Sequence, residues 1–180
     1  IQGFFRVPVD DLYALPVIVE AVRKRELTDL IVVAPDTGFA KQARKYQRAL
    51  GTGIAIADKE RSAHDERAEV LELIGDVSGK TALIVDDFTI SAGTLVSAAR
   101  LLIERGARAV HAAVSHGVFN EESMDHLEDS PIESLITTDS VETQPVAMSS
   151  KIEVVSVAPL LGEASRRIHS REAISVLFSD

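Results

Sequence analysis

The stretch Thr81 to Gly106, TALIVDDFTISAGTLVSAARLLIERG, constrains the fold of this chain more than any other. Ala82 to Val85 form an apolar, partly β-branched run, Asp86 and Asp87 follow it, and Ser91, Ala92, Gly93 and Thr94 make a small-residue turn. Leu95, Ala98, Ala99, Leu102 and Ile103 then recur at helical spacing, with Gly106 placed for a left-handed C-terminal cap. A buried strand, a polar loop and a helix start, in that order, are how an open α/β sheet presents a phosphate site at a strand's carboxyl end.

Each piece has a definite chemistry. The first amides of a helix lack intrahelical partners and sit at the positive end of its dipole, so those near Gly93 and Thr94 suit a phosphate. Ser91 and Thr94 add hydroxyl donors. Ionised Asp86 and Asp87 only accept, so they suit sugar hydroxyls or a hard cation. A ribose phosphate, with a phosphate at one end and a diol at the other, fits the set. Residue types alone leave a second reading open, in which the two acids end a strand and Ser91 caps a helix.

The segment Asp86-Asp87-Phe88-Thr89-Ile90-Ser91-Ala92-Gly93-Thr94 resembles the phosphoribosyl-diphosphate-binding motif of type I phosphoribosyltransferase folds, and within them the ribose-phosphate diphosphokinases (PRPP synthetases). IQGFFRVPVDDLYALPV, IVVAPDTG, DKER, LIGDVSGK, VHAAVSHGVF, VVSVAPLLGEASRRIH and AISVLF resemble the C-terminal half of those enzymes in the same order, so the likeness covers nearly the whole chain. It implies transfer of diphosphate from magnesium ATP to the C1 hydroxyl of ribose 5-phosphate, giving PRPP and AMP. It also implies Ser91, Ala92, Gly93 and Thr94 at the 5-phosphate, Asp86 and Asp87 at the ribose hydroxyls, and Asp36 near Mg2+ and the diphosphate. Lys59 and Arg61 match the basic residues of a catalytic loop that closes over the transferring group, a task for cations because charge spreads over phosphoryl oxygens. Homo-oligomerisation is expected on the same ground. Two departures stand out: Ile90 replaces a usual acid, and Ala173 stands where allosterically regulated members carry serine, so their regulation is not implied.

Around this centre, strands alternate with helices, which predicts one α/β domain over residues 1–180, doubly wound around a mainly parallel sheet. A hydrophobic fraction of 46% supports strands covered on both faces. Strands are expected at Leu30–Ala34, Gly53–Ala57, Ala109–Val114, Leu135–Thr138 and Ile152–Val157. Helices are expected from about Pro16, from Phe39 to Leu50, and from Pro159. Asp58–Arg67 reads as a charged loop, with His64 at the surface. Pro35-Asp36-Thr37-Gly38 reads as a turn, in which Asp36 has an ordinary turn-forming role open to it. His116 reads as structural, since no carboxylate or nucleophile stands beside it in sequence.

A net charge of −9 argues against nucleic acid as a partner, though not against an anionic substrate held by a helix terminus and magnesium. No cysteine is present, which removes disulfide and thiolate chemistry. No apolar run approaches a membrane span and no signal peptide is visible, so a cytoplasmic protein is the expectation. The first residue is Ile1, and the family's other half, similarly folded, is expected to be needed for turnover. Two other readings share the fold: a non-catalytic synthetase-like partner protein, against which Asp36, Lys59, Arg61, Asp86 and Asp87 count, and a phosphoribosyltransferase using PRPP, for which no base-binding hood is found.

Overall fold

Strands that are apolar on both sides need a helical layer on each. The computed structural model describes residues 3–61, 69–142 and 149–178, and the backbone alone for residues 59–61 and 69–71. In chain order its elements are α1 (Leu15–Lys24), β1 (Leu30–Ala34), α2 (Ala40–Leu50), β2 (Gly53–Arg61), β3 (Glu69–Ile74), β4 (Thr81–Thr89), α3 (Gly93–Glu104), β5 (Ala109–Gly117), α4 (Glu121–Glu128), β6 (Ile132–Thr138), β7 (Ile152–Val155) and α5 (Ala158–His169), closed by a 3-10 turn at Ser175–Leu177. The strands form one sheet in the order β3-β2-β1-β4-β5-β6-β7. All neighbours are parallel except β2 and β3.

Residue parity along the central strands assigns two cores. Ile31, Val33, Ala82 and Ile84 pack with Leu95, Ala99 and Leu102 of α3 and Leu127 of α4. Their neighbours Val32, Ala34, Leu83 and Val85 pack with Ile18 and Val22 of α1 and Tyr46 of α2. Each fully buried Leu or Ile side chain is worth roughly 1.5–3 kcal/mol, which is why this alternation sets the register. The expected doubly wound, mainly parallel sheet is the one observed.

Local chemistry fixes the ends. Past α3, Gly106 takes a left-handed φ of 86°. Its amide donates to the Ile103 carbonyl at 3.0 Å and the Ala107 amide to that of Leu102 at 2.9 Å, the paired bonds of a glycine-closed helix. α1 and α5 carry Pro16 and Pro159 in their first turns, as expected.

Several boundaries differ from the sequence reading. Asp58–Arg61 belong to β2, not to a charged loop, because β3 satisfies their backbone along an antiparallel ladder in which Lys59 pairs with Leu71 and Arg61 with Glu69. β3 itself and α4 carried no assignment. α4 has a readable start: Asn120 Oδ1 accepts from the Ser123 amide and Ser123 Oγ from the Asn120 amide, both at 2.8 Å. β6 begins earlier than expected, at Ile132, and β7 ends earlier, at Val155.

One histidine couples the fold to pH. His111 lies in β5 with Nδ1 2.8 Å from Ser134 Oγ and Nε2 3.8 Å from Glu133. Burial holds its pKa below the ordinary 6.5; Glu133 opposes the shift and Arg25 adds to it. The unfolded chain therefore binds this proton more readily than the folded one. The stability contribution is complete above the unfolded value and falls as pH drops through it toward the folded value. On going from about pH 7.5 to 5.5 the urea midpoint is expected to change more favourably in His111→Gln than in the parent, which carries this protonation penalty; equal pH slopes for the two proteins would remove His111 as a contributor.

Candidate active site at the β1–β4 switch point

From β1 the chain winds through α2 to β2, and from β4 it winds through α3 to β5 on the opposite face, so a crevice opens beyond the carboxyl ends of β1 and β4. Asp36 lies just past β1, and Asp86 and Asp87 lie near the end of β4. The Asp87 amide donates to Asp86 Oδ1 at 2.9 Å and the Phe88 amide to Asp87 Oδ1 at 2.8 Å, so each carboxylate is fixed by the next peptide. Burial pushes the Asp86 carboxyl up to about 7, and the negative charges of Asp87 and Asp36 add to the rise. The Asp87 amide bond works against it. Asp36 thus acts electrostatically on Asp86 although it stands fifty residues earlier in sequence; among the described residues no group of three or more forms a ready metal cage.

Beyond β4 the chain turns sharply. Ala92 is the N-cap of α3, with a left-handed φ of 59° and its side chain buried. Any ligand contact it makes is therefore through its backbone. Ser91 and Thr94 are exposed. Ser91 is not the N-cap; its Oγ lies 3.4 Å from the Gly93 amide, a weak contact. The Thr94 and Leu95 amides meet no hydrogen-bond acceptor among the described residues. The turn is open where a phosphate would need it to be.

Asp36 Oδ1 accepts from the Phe39 amide at 2.8 Å, so the turn-forming role is real. Its Oδ2 has no hydrogen-bond partner among the described residues and stays available. A Cβ at Gly38 would stand 3.1 Å from Asp36 Oδ1, a tight approach. Lys59 and Arg61 have their backbones in β2, and their side chains lie outside the described residues, as does His64. A cavity of about 550 Å3 adjoins the crevice, lined by Tyr13, Phe39, Lys45, Tyr46, Asp87 and His116 among others. His116 Nδ1 is 2.6 Å from Ser140 Oγ, and among the described residues no carboxylate pairs with it.

One contact had no forerunner in the sequence reading: His126 of α4 reaches the Ser91 carbonyl at 3.0 Å. Its position thirty-five residues from the loop gave no local signal.

Comparison with known proteins bears on the family and the fold. The phosphoribosyl synthetase-associated domain model matches residues 64–179. A ribose-phosphate pyrophosphokinase of Chromobacterium violaceum is 44% identical over 181 residues, covering 100% of this chain and 55% of that protein. The crystal structure of phosphoribosylpyrophosphate synthetase from Mycobacterium smegmatis superposes with a TM-score of 0.84 at 31% identity, over 94% of this chain and 55% of that one. An adenine phosphoribosyltransferase from Thermoanaerobacter pseudethanolicus, at 22% identity and TM-score 0.53 over 69% of this chain and 78% of that one, shares the fold alone. The chain spans about half the length of the curated relatives it matches. With the type I phosphoribosyltransferase-like sheet and the match over residues 64–179, the chain belongs to the phosphoribosyl synthetase-associated domain family.

Proposed function

We propose that this chain supplies the ribose 5-phosphate site and the basic catalytic residues of a ribose-phosphate diphosphokinase. The observation that carries the reading is the crevice itself, where the fixed carboxylates of Asp86 and Asp87 stand beside a helix start with free amides. In this reading the Ser91–Thr94 turn and the first amides of α3 hold the 5-phosphate, while Asp86 and Asp87 accept hydrogen bonds from the ribose hydroxyls. The C1 hydroxyl oxygen then bonds to the β-phosphorus of ATP and the bond from that phosphorus to the α,β-bridging oxygen breaks. AMP leaves with the bridging oxygen, and the hydroxyl proton is released to solvent. Lys59 and Arg61 offset the negative charge on the transferring oxygens.

Magnesium fits the donor set. It takes one or two carboxylates and fills its remaining positions with water and phosphate oxygens, so the absence of a three-ligand cluster among the described residues is compatible with it. Asp36, with one oxygen engaged and the other available, is the residue to hold it. When bound it supplies neutralisation of phosphate charge.

Calorimetric titration of ribose 5-phosphate into the 180-residue chain is expected to show saturable binding, weakened about tenfold or more in Asp87→Ala, which removes a charged hydrogen-bond acceptor. No binding by the parent chain would overturn the site. With magnesium ATP added, turnover by the chain alone is expected to be slow and to rise when the relatives' other half is supplied. Fast PRPP formation by the chain alone would contradict the need for that half.

A further inference from the structure

The loop from Asp86 to Thr94 receives, among the described residues, one side-chain hydrogen bond from elsewhere in the fold, and it comes from His126. The Ser91 carbonyl can only accept, so His126 Nδ1 carries the proton and donates it across 3.0 Å. We propose that His126 is a positioning residue for the phosphate turn, acting through the Ser91 carbonyl to hold α3's first amides in their binding orientation.

Three features of the fold support this. The carbonyl it grips immediately precedes Ala92, whose left-handed backbone is one that residues with a Cβ rarely hold, so the turn needs outside restraint. His126 stands on a firm platform. Met124 and Leu127 of α4 share a core with Leu95 and Val96 of α3, the Asn120–Ser123 pair closes its start, and Lys151 Nζ donates to the carbonyls of Leu127, Glu128 and Ser130 at 2.9, 3.0 and 3.1 Å at its end. Elsewhere the turn is held by the Val118 amide on the Thr89 carbonyl at 2.9 Å and by the buried Ala92 methyl, while among the described residues the Ser91 carbonyl is met by His126. His126 is exposed, so its replacement leaves both cores intact.

The inference rests on the proposed sugar phosphate site, and its test separates the two. Two quantities are measured in the chain: amide exchange at Val96, which bonds the Ala92 carbonyl at 2.9 Å, and calorimetric affinity for ribose 5-phosphate. His126→Ala is expected to speed exchange at Val96 in the ligand-free protein and to weaken binding about three- to tenfold, the size of one hydrogen bond, with an unchanged urea midpoint. His126→Asn, which can present an N–H near the place of Nδ1, is expected to restore both. Unchanged exchange or unchanged affinity in His126→Ala overturns the proposal, as does equal loss in His126→Asn. Should the parent chain bind no ribose 5-phosphate, the site reading falls while the exchange comparison still decides whether His126 holds the turn.

Discussion

Replacing Lys59 with alanine in the chain supplied with the relatives' other half is expected to lower kcat by about 10²- to 10³-fold while ribose 5-phosphate affinity changes little. Phosphoryl transfer asks little covalent chemistry of the protein and much charge neutralisation, so a cation meeting the transferring group acts mainly in the transition state. A residue of that kind shows itself in kcat, whereas one that holds the sugar phosphate shows itself in binding. The backbones of Lys59 and Arg61 lie at the carboxyl end of β2, where that neighbour of β1 pairs with the edge strand β3. Lys59→Arg keeps the charge and is expected to retain part of the activity, though its planar fork is not equivalent to an ammonium. Steady-state kinetics with saturating ATP, beside equilibrium binding of ribose 5-phosphate, separates the two effects. Equal turnover in Lys59→Ala and the parent would take Lys59 out of the reaction.

Gly117→Ala is expected to destabilise the fold by about 1–3 kcal/mol, and more if the β5 end cannot shift. A Cβ there would lie 2.4 Å from Phe119 Cε2, 2.6 Å from its Cζ and 2.8 Å from Thr137 Oγ1. Neither neighbour has room to retreat, since Phe119 and Thr137 are 1% and 2% exposed. The backbone at this glycine is ordinary, so the requirement is for space and not for an unusual φ. Urea denaturation measures the loss. A second change, Phe119→Leu, removes the ring that the new methyl strikes and is expected to recover part of it, a coupling that a double-mutant cycle reads directly. An unaltered midpoint in Gly117→Ala would show that β5 yields easily.

The elements legible in the sequence were those whose chemistry is local. The apolar run before Asp86, the proline starts of α1 and α5 and the Gly106 cap each carry their cause within a few residues. The same holds for the acids and small residues of the crevice, whose order along the chain predicted a strand, a loop and a helix start. What was not legible depends on partners distant in sequence. Asp58–Arg61 look like loop because they are charged, yet β3 pairs with them as a ladder. The Asp36–Asp86 influence and the His126–Ser91 bond arise only when β1, β4 and α4 are brought to one end of the sheet. α4 is an intermediate case: its Asn120 and Ser123 pair is a local start signal that carried no assignment in the sequence.

Parity along β4 has a bearing on how such a protein can change over time. Leu83, Val85 and Asp87 alternate with Ala82, Ile84 and Asp86; the first pair belongs to the core under α1 and α2, the second to that under α3. In keeping with this, Asp87 borders the same cavity as Tyr46 of α2. A slip of one residue in this strand would exchange the two greasy layers and turn each acid toward the wrong side at once. Tolerance for insertions or deletions should therefore drop to nothing between Thr81 and Thr89, since hydrophobic packing there doubles as the ruler that sets which carboxylate looks which way.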